Sequence, residues 1–291
     1  MNRTEASNDW LPVVGVVGVW VPAMIAAIYV WRHGEYYDYG WFVPPAAVWL
    51  TIRRWRGLAG PVTLPRTAVV VGWVAVLLPW LLVLRVLGHA DPSWRLPIIL
   101  LGWTAAVASH ALIGAARGWR VSAGFGWLTL LWLSALPWPT VVETRLVHGL
   151  TQGVVAAAVE LFHLAGKPVV AMGERLQLHQ VTVEVTDGCS GVRSFQSFVM
   201  ATWFFAELQR LRVVRTGVLL AVACVVALVV NVGRTYALAE IRFSGGQEAF
   251  ERAHDWLGLL AFGVSALVFY GVSDRLSSRP ARRVVRSVHG R

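Results

Sequence analysis

Charge is scarce in this sequence. Asp, Glu, Lys and Arg make up only 14% of its 291 residues, against about 25% in soluble domains, which excludes an ordinary solvated surface. Cysteine is scarcer still. Cys189 and Cys224 are the only two, too few for a disulfide framework or a cysteine-built metal centre. His110, His148 and His163 have no partners at metal-ligand spacing, Glu160 and Glu184 have no carboxylate partner from another helix, and no glycine-rich loop suited to phosphate is present. Neither a metal nor a cofactor is therefore expected. The first apolar run is not followed by a small-residue cleavage site, so it reads as a retained helix rather than a leader. No internal repeat or low-complexity tract interrupts the chain. Lysine occurs once, at Lys167, and no chemistry is drawn from that.

What is abundant is apolar. Hydrophobic residues reach 56%, mean hydropathy is +0.58, and there are 16 tryptophans, a side chain that favours the membrane–water interface. The formal charge of +10 is compatible with nucleic acid. In an apolar multi-span chain, however, basic residues mark cytoplasmic loops, so the expected partner is the lipid bilayer and not nucleic acid.

A spanning helix needs about 20 mostly apolar residues. Candidates are Leu11–Trp31, Thr67–Leu87, Leu96–Ala116, Val121–Leu136, Val192–Leu208, Thr216–Val232 and Trp256–Val272. A shorter eighth is Tyr39–Ile52, which carries Pro44-Pro45 and must borrow neighbours to cross. The basic tail RLSSRPARRVVRSVHGR puts the last helix end in the cytoplasm. Stepping back span by span, Arg210, Arg212 and Arg215, then Arg117 and Arg120, then Arg53, Arg54, Arg56 and Arg66, and finally Arg3 fall on the same side. Both termini are thus expected inside a cell membrane. Pro139 to Ala165 must then not span. Its Arg145, His148, Gln152, Glu160 and His163 share one stripe at helical period, as in an interfacial amphipathic helix. The following GERLQLHQVTVEVTD alternates through Leu176, Leu178, Val181, Val183 and Val185, as paired extended segments do. The expectation is an all-α integral membrane protein of about eight transmembrane helices with a small outer-face subdomain. Its regions are 1–137 (five membrane helices), 138–190 (amphipathic helix and strand-like segment) and 191–291 (three membrane helices and a basic tail).

That topology puts Cys189, Arg234 and His254 at one depth on the outer face, on three sequential helix ends. Together they suit acyl transfer. A thiolate attacks a carbonyl, favoured by a helix N-terminus or a neighbouring cation; a histidine carries the proton; an arginine neutralises the oxyanion. Gly188 and Gly191 would let a substrate backbone approach closely. Each residue also has a structural alternative: Cys189 as core filler, Arg234 as an interfacial snorkeller, His254 as a helix-end anchor. Spacing alone reaches only a possible extracytoplasmic thiol enzyme. Cys224, ten residues before Arg234 and so about 15 Å deeper, reads as packing.

The segments GCSGVRSF around Cys189, NVGRTYALAEI around Arg234 and HDWLG at His254–Gly258 resemble the exosortase/archaeosortase transpeptidases. So does the preceding ETRLVHGLTQGVVAAAVELFHLAGKPV. The resemblance runs from Pro137 to Val272. It implies a membrane-embedded cysteine transpeptidase or protease that acts on secreted, membrane-anchored proteins. Their C-termini carry a short motif, a transmembrane helix and a basic cluster, and cleavage falls near the motif on the outer face. By position it implies Cys189 as nucleophile, Arg234 as transition-state stabiliser and His254 as acid/base, with Ser190, Arg193, Asn231 and Asp255 in support. The flanks Asp187-Gly188 and Gly233-Thr235 depart from the family's pattern, which bears on substrate subtype. Two rivals remain open: a transporter in which Arg234 and His254 bind an anion or lipid headgroup, and a non-catalytic homologue that only binds sorting signals. Ionisable residues gathered at helix ends rather than at half-depth disfavour the transporter.

Overall fold

An apolar run that meets lipid must satisfy its backbone within itself, and a helix does so locally. The computed structural model describes residues 10–34, 36–63, 67–185 and 191–277 and follows that logic. In chain order it contains α1 (Leu11–His33), a 3-10 turn (Asp38–Trp41), α2 (Val43–Arg56), α3 (Thr67–Ala90), α4 (Arg95–Arg117), α5 (Trp119–Ala123), α6 (Gly126–Ser134) and α7 (Thr140–Leu164). There follow β1 (Val170–Met172), β2 (Arg175–Leu178), β3 (Val181–Glu184), α8 (Val192–Leu208) and α9 (Val213–Ser277). Pro12 and Pro44 stand in the first turns of α1 and α2, where a missing N–H leaves no bond unmade.

Among the described residues four stretches are long and apolar enough to cross a bilayer: Leu11–His33, Gly72–Ala90, Arg95–Arg117 and Val213–Ser277. The last is two helices. Gly246 adopts φ 77° and ψ −169°, a conformation open to glycine, and limbs 213–245 and 247–277 fold back on each other. Arg215 Nη1 accordingly donates to the Leu276 carbonyl at 2.7 Å. Of the other expected spans, Val192–Leu208 is one 17-residue helix, and two differ from simple rods. Val121–Leu136 is divided into α5 and the nine-residue α6. Tyr39–Ile52 becomes the 3-10 turn and the 14-residue α2, about 21 Å long against a hydrocarbon thickness of about 30 Å. On α3, Val74, Val76, Leu82 and Val86 face outward, as apolar side chains do where lipid rather than water is the solvent.

The bundle has two chemically distinct ends. At one, Arg54 Nη1 meets Glu207 at 2.5 Å, Arg210 reaches the same carboxylate at 3.3 Å, and Arg53 donates to the Leu208 carbonyl at 2.8 Å. Arg117 stacks on Trp55 beside them. Arginines drawn to one side by sequence thus share one end. At the opposite end the Trp138 N–H donates to the Tyr37 hydroxyl at 2.8 Å, Tyr37 donates to Glu143, and Arg95 Nη2 lies 2.8 Å from the same carboxylate. Burial first, and then the bond to Glu143, push the Tyr37 phenol above its usual pKa. Glu143 is buried and ties the start of α7 to the bundle. Glu143→Ala removes the carboxylate that Tyr37 and Arg95 share, leaving Arg95 with the Trp138 carbonyl, and a thermal melt in detergent should show a loss of about 2 kcal/mol or more.

α7 is the amphipathic helix expected. Arg145, His148, Gln152, Glu160 and His163 are exposed, whereas Thr151, Val154, Val155, Ala158 and Phe162 are buried. It is not among the four stretches fit to span. The strand-like segment forms an antiparallel sheet in the order β1-β2-β3. Leu176 pairs with Val183 and both are buried, while on the other face Arg175 pairs with Glu184, side chains 3.3 Å apart. The sheet, α7 and the tip of α9 close a small core of Val155, Phe162, Leu176, Val183, Leu238 and Ala253. β1, which alternation did not predict, adds the third strand.

Candidate functional site

The fold of α9 sets the site. Arg234 lies twelve residues before the Gly246 break and His254 eight after it, so antiparallel limbs bring them level. Arg234 Nη2 stands 3.3 Å from His254 Nε2. An arginine can only donate, so His254 Nε2 accepts and the ring proton sits on Nδ1, a tautomer inferred from these bonds. That N–H is directed at Asp255 Oδ1, 3.2 Å away. The Asp255 side chain is 95% exposed and that of His254 37%, so the pair opens to its surroundings. The expectation that these residues sit on helix termini is corrected: both lie inside helical limbs, which extend past the apolar stretches and are held by the small core above.

Two residues to which the sequence reading gives no role, Gly258 within the HDWLG segment and Phe250, stand beside the pair. The Arg234 guanidinium packs against Gly258, one turn after His254; a Cβ there would be 3.5 Å from Nη2, an ordinary contact, so only a larger side chain would displace it. Phe250, one turn before, packs its ring 5.8 Å from the imidazole. The i−4 and i+4 spacings around His254 are the signal that could have found them.

Asn231, one turn before Arg234, is buried and faces the start of α8. There Gly191 caps the helix in the left-handed region at φ 81°, and a Cβ on it would lie 2.8 Å from Asn231 Cγ. Gly191→Ala therefore combines left-handed strain of about 1–2 kcal/mol with overpacking of about 1–3 kcal/mol. It should depress the melting temperature, and adding Asn231→Ala should restore only the overpacking share. Arg193, in the first turn of α8, lies 3.7 Å from Asp38 in an exposed pair. Cys189 and Ser190 lie outside the described residues; in sequence Cys189 precedes Gly191 by two positions. Cys224 is partly buried and lines an apolar cavity of about 190 Å³ with Leu150, Phe195 and Leu228.

Beside His254 a larger cavity of about 530 Å³ separates β3 from the second limb of α9. Among the described residues no group of three or more His, Cys, Asp or Glu side chains is arranged to hold a metal ion.

Residues 31–271 match the model of a family described as transmembrane exosortase (Exosortase_EpsH). No curated protein and no solved structure matches the chain.

Proposed function

Because the chain belongs to the transmembrane exosortase family, we propose that it is a membrane-embedded cysteine transpeptidase. In this reading it cleaves secreted proteins at a C-terminal sorting signal of motif, transmembrane helix and basic cluster. The observation that carries the reading is the 3.3 Å approach of Arg234 to His254, with Asn231 one turn away against Gly191, two residues from Cys189. Eight spans, with α7 and the sheet on the outer face of the cell membrane, the arginine-rich end inside and cytoplasmic termini, complete the proposal. The segregation of Arg53, Arg54, Arg117 and Arg210 at one end supports that orientation. The regions 1–137, 138–190 and 191–291 serve as membrane platform, outer-face cover and catalytic unit.

The chemistry follows from donors and acceptors. With no substrate bound, Arg234 donates to His254 Nε2. An entering carbonyl oxygen competes for that donor and releases Nε2 to take the Cys189 thiol proton. The thiolate attacks the carbonyl carbon, and negative charge builds on the oxygen facing Arg234. Collapse of the tetrahedral species breaks the C–N bond, the amine leaves with the proton held by His254, and a thioester remains on Cys189. An acceptor nucleophile, or water, then gives its proton to His254 and its electron pair to the carbonyl, freeing the thiol. Asp255 orients the imidazole, Asn231 fixes the start of α8, and Ser190 and Arg193 flank the nucleophile.

Intact cells treated with a membrane-impermeant thiol reagent test the reading. The expected result is modification of Cys189 with loss of processing of a tagged, signal-bearing protein, while Cys224→Ala neither prevents the labelling nor changes processing. Labelling of Cys189 only after permeabilisation would overturn the orientation, and full processing by the labelled enzyme would overturn the chemistry.

A further inference from the structure

The sheet has a free edge in an unusual place. In the β2–β3 ladder Leu178 opposes Val181 and Leu176 opposes Val183, and the Val185 N–H donates to the Glu174 carbonyl at 2.9 Å. Antiparallel pairs alternate between those that exchange bonds and those that do not. Val181, Val183 and Val185 therefore turn their backbone groups toward β2. Thr182 and Glu184 turn theirs the other way, and among the described residues no hydrogen bond to those groups occurs.

That edge fronts the 530 Å³ cavity. Thr182, Val183 and Glu184 all line it, and no β2 residue does. Consecutive residues of a strand point to opposite faces, so a cavity touched by all three runs along the edge rather than over one face. Its far wall is the second limb of α9, with Phe250, Glu251, His254 and Asp255. One groove thus offers unused strand backbone on one side and His254 on the other. Its carboxylates, Glu184, Glu251 and Asp255, outnumber its one arginine, Arg242. Glu184 shares Arg175 in a pair more than half exposed, which offsets little of that charge.

We propose that the substrate polypeptide docks in this groove as an extended strand added to the free edge of β3, carrying a basic side chain opposite Glu184 and Glu251. The inference rests on the reading of the chain as a sorting-signal transpeptidase and adds to it how the signal is held. Strand addition takes affinity from main-chain bonds and specificity from alternate side chains. The four residues of β3 give a rail of about 13 Å, and in sequence that rail continues directly toward Cys189.

The test reads binding without turnover. The full-length Cys189→Ala protein in lipid nanodiscs is titrated against a fluorescein-labelled pentapeptide amide of sequence Thr-Val-Lys-Val-Thr, with anisotropy as the signal. Saturable binding is expected, weakened at least tenfold when the lysine is replaced by glutamate, and at least tenfold when alternate amides are N-methylated. Thr182→Pro removes an N–H that faces the groove and none that pairs with β2, a position where an edge strand tolerates proline; it too should weaken binding at least tenfold. Thr182→Ala, which keeps the N–H, should weaken binding less than Thr182→Pro does. Lack of saturable binding, equal affinity for the N-methylated peptide, or equal affinity for lysine and glutamate overturns the proposal. The N-methyl comparison stands even if the proline variant misfolds. Since nothing is cleaved in this assay, failure here leaves the role of Cys189 intact, and failure of catalysis leaves the binding result intact.

Discussion

Cys189→Ala is expected to reduce processing of a sorting-signal protein by at least about 10,000-fold, to the background of the uncatalysed reaction. In the proposed mechanism, removing Cys189 leaves a site that can still bind substrate and orient a carbonyl, but has no atom to form the acyl intermediate. Cys189→Ser should recover almost nothing. A hydroxyl is a far weaker acid than a thiol, so the proton shift to His254 that produces a nucleophile at neutral pH is lost. Both variants should insert into the membrane and melt as the parent does, because the tie of α7 to the bundle through Glu143 and the packing of Asn231 on Gly191 involve neither the thiol nor its proton. Immunoblots of the tagged substrate, with the enzyme quantified in the same membranes, read the result. Processing at the parental rate by Cys189→Ala would overturn the proposal that this protein cleaves the signal through Cys189.

Much of this architecture is legible in the residues because lipid imposes a simple rule on them. Long apolar runs gave α1, α3 and α4 to within a few residues, and α8 spans Val192–Leu208 as hydropathy predicts. Alternation through Leu176, Leu178, Val181 and Val183 located the hairpin, since its buried pair is read at period two. Where packing rather than lipid decides, the pattern is silent. The helix after Asn231 continues to Gly245 not because those residues are apolar, but because Leu238 and Ala239 close a core against α7 and the sheet. β1 is only three residues within an apolar run, too short to show a period. The depth argument brought Arg234 and His254 to one level, yet it could not show that the guanidinium packs against Gly258 or that β3 keeps an open edge beside the imidazole. Both depend on how the two limbs and the sheet pack together, which no single segment of sequence carries.

Arg234→Ala is expected to lower kcat by about 100- to 1,000-fold, the usual cost of one oxyanion donor, with KM changed little. The split matters more than the size. Charge on the carbonyl oxygen builds only as the carbon becomes tetrahedral, so a residue that answers that charge contributes to the transition state and not to the bound substrate. If Arg234 instead anchored a ground-state anion, as the transporter reading requires, KM would rise and kcat would hold. Arg234→Lys separates charge from shape. Lysine keeps the cation but replaces a planar fork by a single point of donors. The guanidinium lies flat over Gly258 while its Nη2 addresses His254, and an ammonium cannot keep that contact and reach a carbonyl oxygen from the same place. Lysine should therefore recover no more than about tenfold of the loss. Gly258→Leu, with Arg234 in place, should reproduce part of the kcat defect by lifting the guanidinium off the second limb. A Gly258→Leu enzyme with unaltered kcat would mean that Arg234 does its work from some other position.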